Sequence, residues 1–160
     1  MNDMFNQIAT TSTGFAVILI ILTLAVLSWV FATTANEHLA KNHPNALPFR
    51  WGYFYGIFGL MLYLLLIGSN VALYTTAVSM SIEFTAAAMY LLVIQTTLAI
   101  INVVAHVMLL KRNRWGFVVA TILSINVIIY IVNAFYIEKR WEELKVEKEE
   151  NNVCNQQPQS

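Results

Sequence analysis

Residues 14–34 read GFAVILIILTLAVLSWVFATT, a stretch of 21 residues that contains no Asp, Glu, Lys or Arg. A helix of about 20 apolar residues is long enough to cross the hydrocarbon core of a bilayer. Inside that core every backbone N–H and C=O needs a partner within the protein, and a helix supplies one along its length. The stretch therefore predicts a transmembrane helix.

Three further apolar runs follow the first one. They cover residues 51–78, 85–110 and 115–137, and none of them contains Asp, Glu, Lys or Arg. Residues 1–13 form a short N-terminal segment, and residues 138–160 form a charged helical extension with a disordered polar tail. We therefore predict an all-α integral membrane protein in which residues 14–137 fold as a compact bundle of four transmembrane helices.

The composition agrees with this class of protein. Charged residues make up 11% of the chain and hydrophobic residues 58%, whereas a soluble domain carries about 25% charged residues. The single Cys154 lies in the polar tail and has no second cysteine to pair with. These features exclude a soluble globular domain and a disulfide-rich secreted scaffold, and we expect no nucleic-acid partner.

The positive charges in different parts of the chain predict opposite orientations for four spans. The loops 35–50 and 111–114 carry five Lys and Arg residues, while residues 1–13 and the loop 79–84 carry none. The positive-inside rule therefore places these two basic loops in the cytoplasm and both termini outside. Basic residues directly after the fourth run argue for the opposite orientation. We predict a multi-pass protein, in the cytoplasmic membrane if the source is bacterial, with its termini outside.

A short motif recurs at the starts of the second and fourth runs. The sequence RWGY begins at Arg50, and RWGF begins at Arg114. Arginine meets lipid phosphates and tryptophan favours the interface, so we interpret Arg50, Trp51, Arg114 and Trp115 as interfacial anchors. Two interpretations stay open. The motif reflects either two repeated helical hairpins or the shared demands of helices that enter from a basic side.

Small and polar residues recur at helical spacing within the runs. Gly52, Gly56 and Gly59 predict a helix-packing face, because glycine lets a neighbouring backbone approach closely. Six polar side chains are expected to face protein, since an unpaired amide in hydrocarbon costs free energy. These intramembrane polar residues are Asn70, Gln95, Asn102, His106, Asn126 and Asn133.

The polar residues are compatible with two functions. No carboxylate or lysine accompanies them, which favours hydrogen bonds between helices over ion transport. We therefore expect a non-enzymatic protein that acts through helix packing, as a homo-oligomer or as an accessory subunit of a membrane complex, for example in immunity or envelope defence. Its partners would be the lipid bilayer and itself or other membrane subunits. The alternative is a small channel or transporter with an amide-lined polar path.

A third hypothesis rests on the histidines. His106 lies near the same side of the membrane as His38 and His43, so a three-histidine metal site in a redox subunit is conceivable. However, His38 and His43 do not have the spacing of a metal motif, and a haem with two histidine ligands would need a second intramembrane histidine. We therefore predict no metal site, no catalytic residues and no cofactor, and we expect bound lipid.

Overall fold

The computed structural model describes the backbone of residues 2–44, 46–124 and 126–144, with side chains from residue 13 onward. All regular secondary structure in these ranges is α-helical. The helices are α1 (Asn2–Asn42), α2 (Arg50–Ser79), α3 (Ala86–Leu110), α4 (Arg114–Ile122), α5 (Val127–Phe135) and α6 (Ile137–Glu143). Three of them, α1 from Thr13 onward, α2 and α3, are long and apolar enough to cross a membrane. The prediction of a helical chain of membrane type is confirmed, whereas a bundle of four membrane helices is not.

Helix α1 packs against α2 as an antiparallel pair. It ends at Asn42, two residues before Pro44, whose ring disfavours helical geometry in the preceding residue. The backbone N–H of Phe49 donates to Asn36 Oδ1 at 2.9 Å, which ties the start of α2 to the last turns of α1. Deeper in the pair, the rings of Trp29 and Phe54 meet edge to face with centroids 6.1 Å apart.

Helices α2 and α3 end in the same way. After α2, Ser81 has φ of 55°, and after α3, Arg112 has φ of 58°. At the end of α3, Arg112 N–H donates to Leu109 O at 2.8 Å and Asn113 N–H donates to Met108 O at 3.0 Å. These two bonds form a Schellman motif, which satisfies the last helical carbonyls and is usually completed by glycine.

The helices contact one another in chain order. Helix α2 lies between α1 and α3, and α3 lies between α2 and α4. The buried apolar core is concentrated where α2 begins, α3 ends and α4 begins. Its members are Phe49, Tyr55, Ala105, Leu109, Phe117, Ala120 and Leu144. The packed core therefore occupies one end of the molecule.

The fourth apolar run is not a continuous helix. Helices α4 and α5 have nine residues each, and the chain between them leaves helical geometry. Ser124 Oγ donates to Thr121 O at 2.7 Å, and Asn126 Oδ1 accepts from the N–H groups of Ile128 and Ile129 at 3.0 and 3.4 Å. Ser and Asn side chains offer the backbone such alternatives to helical hydrogen bonds, which explains the break at this point.

Helix α5 turns back alongside α4. Asn133 Nδ2 in α5 donates to Thr121 Oγ1 in α4 at 3.0 Å. The Arg114 guanidinium at the start of α4 lies 5.1 Å from the ring centroid of Trp141 in α6. In one straight helix these two residues would be about 40 Å apart, since each residue adds about 1.5 Å. The segments α4 and α5 therefore form a helical hairpin.

This hairpin brings the basic residues to one end of the molecule. We call this end, formed by the end of α1, the start of α2, the end of α3, the start of α4 and α6, the basic end. It holds all the Lys and Arg residues within the described ranges. They are Lys41, Arg50, Lys111, Arg112, Arg114, Lys139 and Arg140. The turn between α2 and α3 forms the opposite end.

Candidate functional site

Guanidinium groups stack on aromatic rings at the basic end. Arg140 lies 4.7 Å from the centroid of the Trp51 ring and 5.6 Å from that of Tyr136. Arg112 lies 5.0 Å from the centroid of Phe49. Such cation–π contacts are worth about 0.5–2 kcal/mol each, with the higher value for desolvated pairs. The stacking fixes α6 against the start of α2.

Arg112 fills the space between α3 and the loop before α2. Its side chain is buried, and Nη2 donates to Leu47 O at 3.1 Å. Nε and Nη1 are also buried but have no hydrogen-bond partner within the described residues. A buried donor without a partner costs free energy. These two groups could therefore each donate a hydrogen bond to an additional acceptor.

In α6, Arg140 is buried and Glu143 is half-buried. Burial lowers the pKa of Arg140 below its usual range, and the negative charge of Glu143 opposes this shift. Burial likewise raises the pKa of Glu143, and the positive charge of Arg140 opposes that shift. Arg140 Nε and Glu143 Oε2 each lack a hydrogen-bond partner among the described groups. The two charges attract each other but do not hydrogen-bond through these atoms.

A cavity of about 760 Å³ opens beside Arg140. Its lining combines an apolar part with charged side chains of both signs. The lining residues are Leu47, Pro48, Arg50, Trp51, Tyr136, Lys139, Arg140, Glu142 and Glu143. Three bases and two carboxylates leave one positive formal charge, which favours an anionic group.

The predicted anchors Arg50, Trp51, Arg114 and Trp115 all lie at the basic end. Trp51 is half-buried, and its Nε1 donates to Asn133 Oδ1 at 2.9 Å. Trp115, by contrast, is 72% exposed and points away from the protein. The two copies of the motif therefore differ, because the Trp51 side chain donates a hydrogen bond to α5 whereas the Trp115 side chain is exposed.

The predicted glycine face lies inside the molecule. A Cβ atom on Gly52 would clash with the Phe49 ring, one on Gly56 would lie 2.6 Å from Leu110 Cδ2, and one on Gly59 would clash with the His106 ring at Nε2. Gly52 therefore makes room for the Phe49 ring in the loop before α2. Gly56 and Gly59 make room for side chains of α3.

His106 lies deep in the interface between α2 and α3. Its ring contacts Tyr55 and Tyr63 at centroid distances of 5.2 and 5.4 Å. Nδ1 is 2.7 Å from the carbonyl oxygen of Asn102, so Nδ1 carries the proton in this bond. In the neutral ring Nε2 is then an acceptor, and it is buried without a partner within the described residues.

A second cavity, of about 570 Å³, lies between α2 and the tip of the α4–α5 hairpin. Its polar lining residues are Tyr55, Tyr63, His106, Ser124 and Asn126, and the remaining lining is apolar. Of the six predicted intramembrane polar residues, His106 and Asn126 line this cavity.

The other predicted amides are separated from one another. Asn70 Nδ2 donates to Thr96 Oγ1 at 3.0 Å, which links α2 to α3. Asn102 Nδ2 donates within its own helix to Leu98 O at 3.0 Å, and Asn133 belongs to the hairpin. Gln95 is exposed on α3. The two cavities described above do not bring these amides together, and the amide-lined path stays a prediction.

The histidines of the metal hypothesis lie in different surroundings. His38 is exposed on the last turns of α1, where its ring is 3.1 Å from Asn42 Nδ2. His43 is exposed after the end of α1, whereas His106 is buried between α2 and α3. Within the described ranges no group of three or more His, Cys, Asp or Glu residues is arranged to hold a metal ion.

Sequence reasoning missed the buried roles of Arg112 and Arg140. Arg112 follows directly after an apolar run and Arg140 follows shortly after another, and both were counted only as loop or tail charges. The available signal was the group of Lys and Arg residues after the fourth run, which conflicted with the orientation predicted for four spans.

No family model matches this sequence, and no curated protein or solved structure matches it either.

Proposed function

We propose that this chain is a non-enzymatic integral membrane protein that acts by lateral helix packing, with a second copy of itself as the partner of α3. One observation carries the proposal. Gln95 is exposed near the middle of α3, and its amide makes no hydrogen bond with a described residue. An amide that faces lipid at this depth costs free energy, which a partner helix would offset.

The short α4 helix explains why Gln95 is uncovered. Its nine residues extend about 13.5 Å, whereas the 25 residues of α3 extend about 37 Å. On the polar stripe of α3, Ala99, Asn102 and His106 are buried, but Gln95 lies beyond them and is exposed. The uncovered part of α3 has room for a further helix.

A second copy fits this face because glutamine both donates and accepts. Two Gln95 side chains related by a twofold axis would form two reciprocal hydrogen bonds. Leu91 and Leu98 lie one turn before and after Gln95 and are 67% and 40% exposed. They would supply apolar contact on both sides of the amide pair.

The membrane topology belongs to the same proposal. Helices α1, α2 and α3 cross the bilayer, and the α4–α5 hairpin enters it from the basic end to about half its depth and returns. The positive-inside rule then places the basic end in the cytoplasm and residues 1–13 outside. This arrangement removes the conflict between the loops and the tail, because every described Lys and Arg lies on one side.

Cysteine crosslinking tests the proposed interface. In a Cys154→Ser background, we expect Leu91→Cys to form disulfide-linked dimers in membranes. Val93→Cys, which is 56% exposed on a different face of α3, is the matched control and should stay monomeric. Equal crosslinking of both variants would contradict the interface.

Substitution of Gln95 tests the role of the amide. We expect Gln95→Leu to weaken dimerisation in detergent roughly three- to tenfold, because interhelical hydrogen bonds contribute about 0.6 kcal/mol each. Thr97→Val is the control, since Thr97 Oγ1 already donates to Val93 O at 2.8 Å within its helix. If Gln95→Leu dimerises as strongly as the parent chain, this role of the amide is refuted. If a different protein co-purifies with the parent chain but not with Gln95→Leu, the chain is an accessory subunit.

A further inference from the structure

We propose that the cavity beside Arg140 binds the phosphate group of a membrane phospholipid. This site is separate from the α3 face that contains Gln95, and the two proposals stand or fall independently. Three features support this site: the position of the cavity, the charge of its lining and the unpaired Nε donor of Arg140.

The position of the cavity suits a lipid headgroup. Trp51 and Tyr136 line it, and rings of this kind favour the level of the headgroups. Leu47 and Pro48 continue the lining with apolar surface, against which the glycerol backbone and the first acyl carbons would pack. A soluble anion would gain nothing from this apolar part.

The charge of the lining suits one phosphodiester. Arg50, Lys139 and Arg140 contribute three positive formal charges, and Glu142 and Glu143 contribute two negative ones. One phosphodiester carries a single negative charge and would bring the site to neutrality. Arg50 and Lys139 are exposed and can adjust to the headgroup, whereas Arg140 is held in place.

Arg140 is the central donor of the proposed site. Its side chain is only 8% exposed, and its guanidinium is oriented by Trp51 at 4.7 Å. Its Nε is buried without a hydrogen-bond partner among the described residues. A planar guanidinium fixed on an aromatic ring is well suited to bind phosphate through two parallel hydrogen bonds. Burial also lowers the pKa of Arg140, and a bound anion would oppose that effect.

Native mass spectrometry of the full-length protein in detergent tests the proposal. The probes are phosphatidylglycerol, which carries one phosphodiester charge, and a diacylglycerol of the same acyl chains, which carries none. We expect one phospholipid to be retained per chain and the diacylglycerol to be lost. Equal retention of both lipids would overturn the proposal.

Variants locate the site. We expect Arg140→Gln to lower phospholipid retention roughly tenfold or more, because a charge-assisted hydrogen bond is lost. Arg140→Lys should restore part of the binding. Lys111→Gln, which removes an exposed base at the same end but outside the cavity, should leave retention unchanged. Equal losses for Arg140→Gln and Lys111→Gln would show unspecific attraction and refute the site.

Two further measurements keep the test decisive. If Arg140→Gln does not fold, the double variant Arg50→Gln/Lys139→Gln changes only exposed side chains of the lining and should still reduce retention several-fold. Inorganic phosphate and glycerol 3-phosphate are then added as competitors. If either displaces the phospholipid at equal concentration, the site recognises soluble phosphate and the lipid assignment is wrong.

Discussion

At the scale of single residues, Gly59 and His106 depend on each other. The His106 ring occupies the space that a Gly59 side chain would need, and its Nδ1 is held by the Asn102 carbonyl at 2.7 Å. Tyr55 and Tyr63 contact the ring as well. The ring therefore has little freedom to move away from an added methyl group.

We expect Gly59→Ala to lower the free energy of unfolding by about 1–3 kcal/mol, the usual cost of overpacking a core. The measurement is reversible unfolding in mixed micelles. Gly68→Ala is the matched control in the same helix, because a Cβ at Gly68 meets no atom within 4 Å. It should be neutral or slightly stabilising.

A double variant separates this clash from a general intolerance of α2 to alanine. Gly59→Ala combined with His106→Ala should cost less than the sum of the two single changes, since the added methyl group then has space. Additive costs would show that the contact between Gly59 and His106 does not cause the effect.

At the scale of elements, Asn126 defines the start of α5. Its Oδ1 accepts from two backbone N–H groups that no helical carbonyl can reach. We expect Asn126→Ala to destabilise the hairpin by about 1 kcal/mol and to speed hydrogen exchange at Ile128 and Ile129. Amide hydrogen exchange resolved by residue is the measurement.

The control for this prediction is a variant that keeps an oxygen able to cap the start of α5. Asn126→Ser retains a side-chain oxygen that can accept from the same amides, so exchange should stay close to that of the parent protein. Unchanged exchange in Asn126→Ala would show that tertiary contacts, such as the bond from Trp51 to Asn133, hold α5 without its cap.

The elements also show how far the sequence could predict the fold. The long apolar helices could be predicted because span length is a direct consequence of bilayer thickness. The division of the fourth run could not, because Ser124 and Asn126 are weak signals among apolar neighbours. The hairpin is also held by the hydrogen bond from Trp51 to Asn133, a contact between residues 82 positions apart that the local sequence does not reveal.

The candidate site was predicted only in part for the same reason. Arg50 and Trp51 could be recognised as interfacial, since their residue types alone favour that level. The stacking of Arg140 on Trp51 depends on the return of α5 and α6 to the basic end. A prediction based on four spans places Arg140 on the opposite side of the membrane from Trp51.

At the scale of the whole molecule, the topology proposed above predicts that the two ends of the α2–α3 pair lie on opposite sides of the membrane. Cys154 lies outside the described residues, eleven positions after Glu143, which is the last residue of α6. Glu83 is exposed at the opposite end. Two proteins are compared in intact cells: the Glu83→Cys variant in a Cys154→Ser background, and the parent chain with Cys154. We expect an impermeant thiol reagent to label the cysteine at position 83 in the first protein but not Cys154 in the second.

This experiment distinguishes two topologies without reference to the absolute orientation. Four spans would place position 83 and Cys154 on the same side, so the two cysteines would react alike. Three spans with a hairpin place them on opposite sides, so one reacts before lysis and the other only after it. Identical labelling would contradict the topology proposed above.

In the topology proposed above, a hairpin that reaches only half the depth of the bilayer would give the molecule a wedge shape. In the proposed topology the leaflet at the basic end accommodates five described helices, whereas the other leaflet accommodates three. The protein then displaces more lipid area from one leaflet than from the other. Membranes that bulge toward the basic end would relieve this imbalance, so the lateral distribution of the protein would follow membrane curvature.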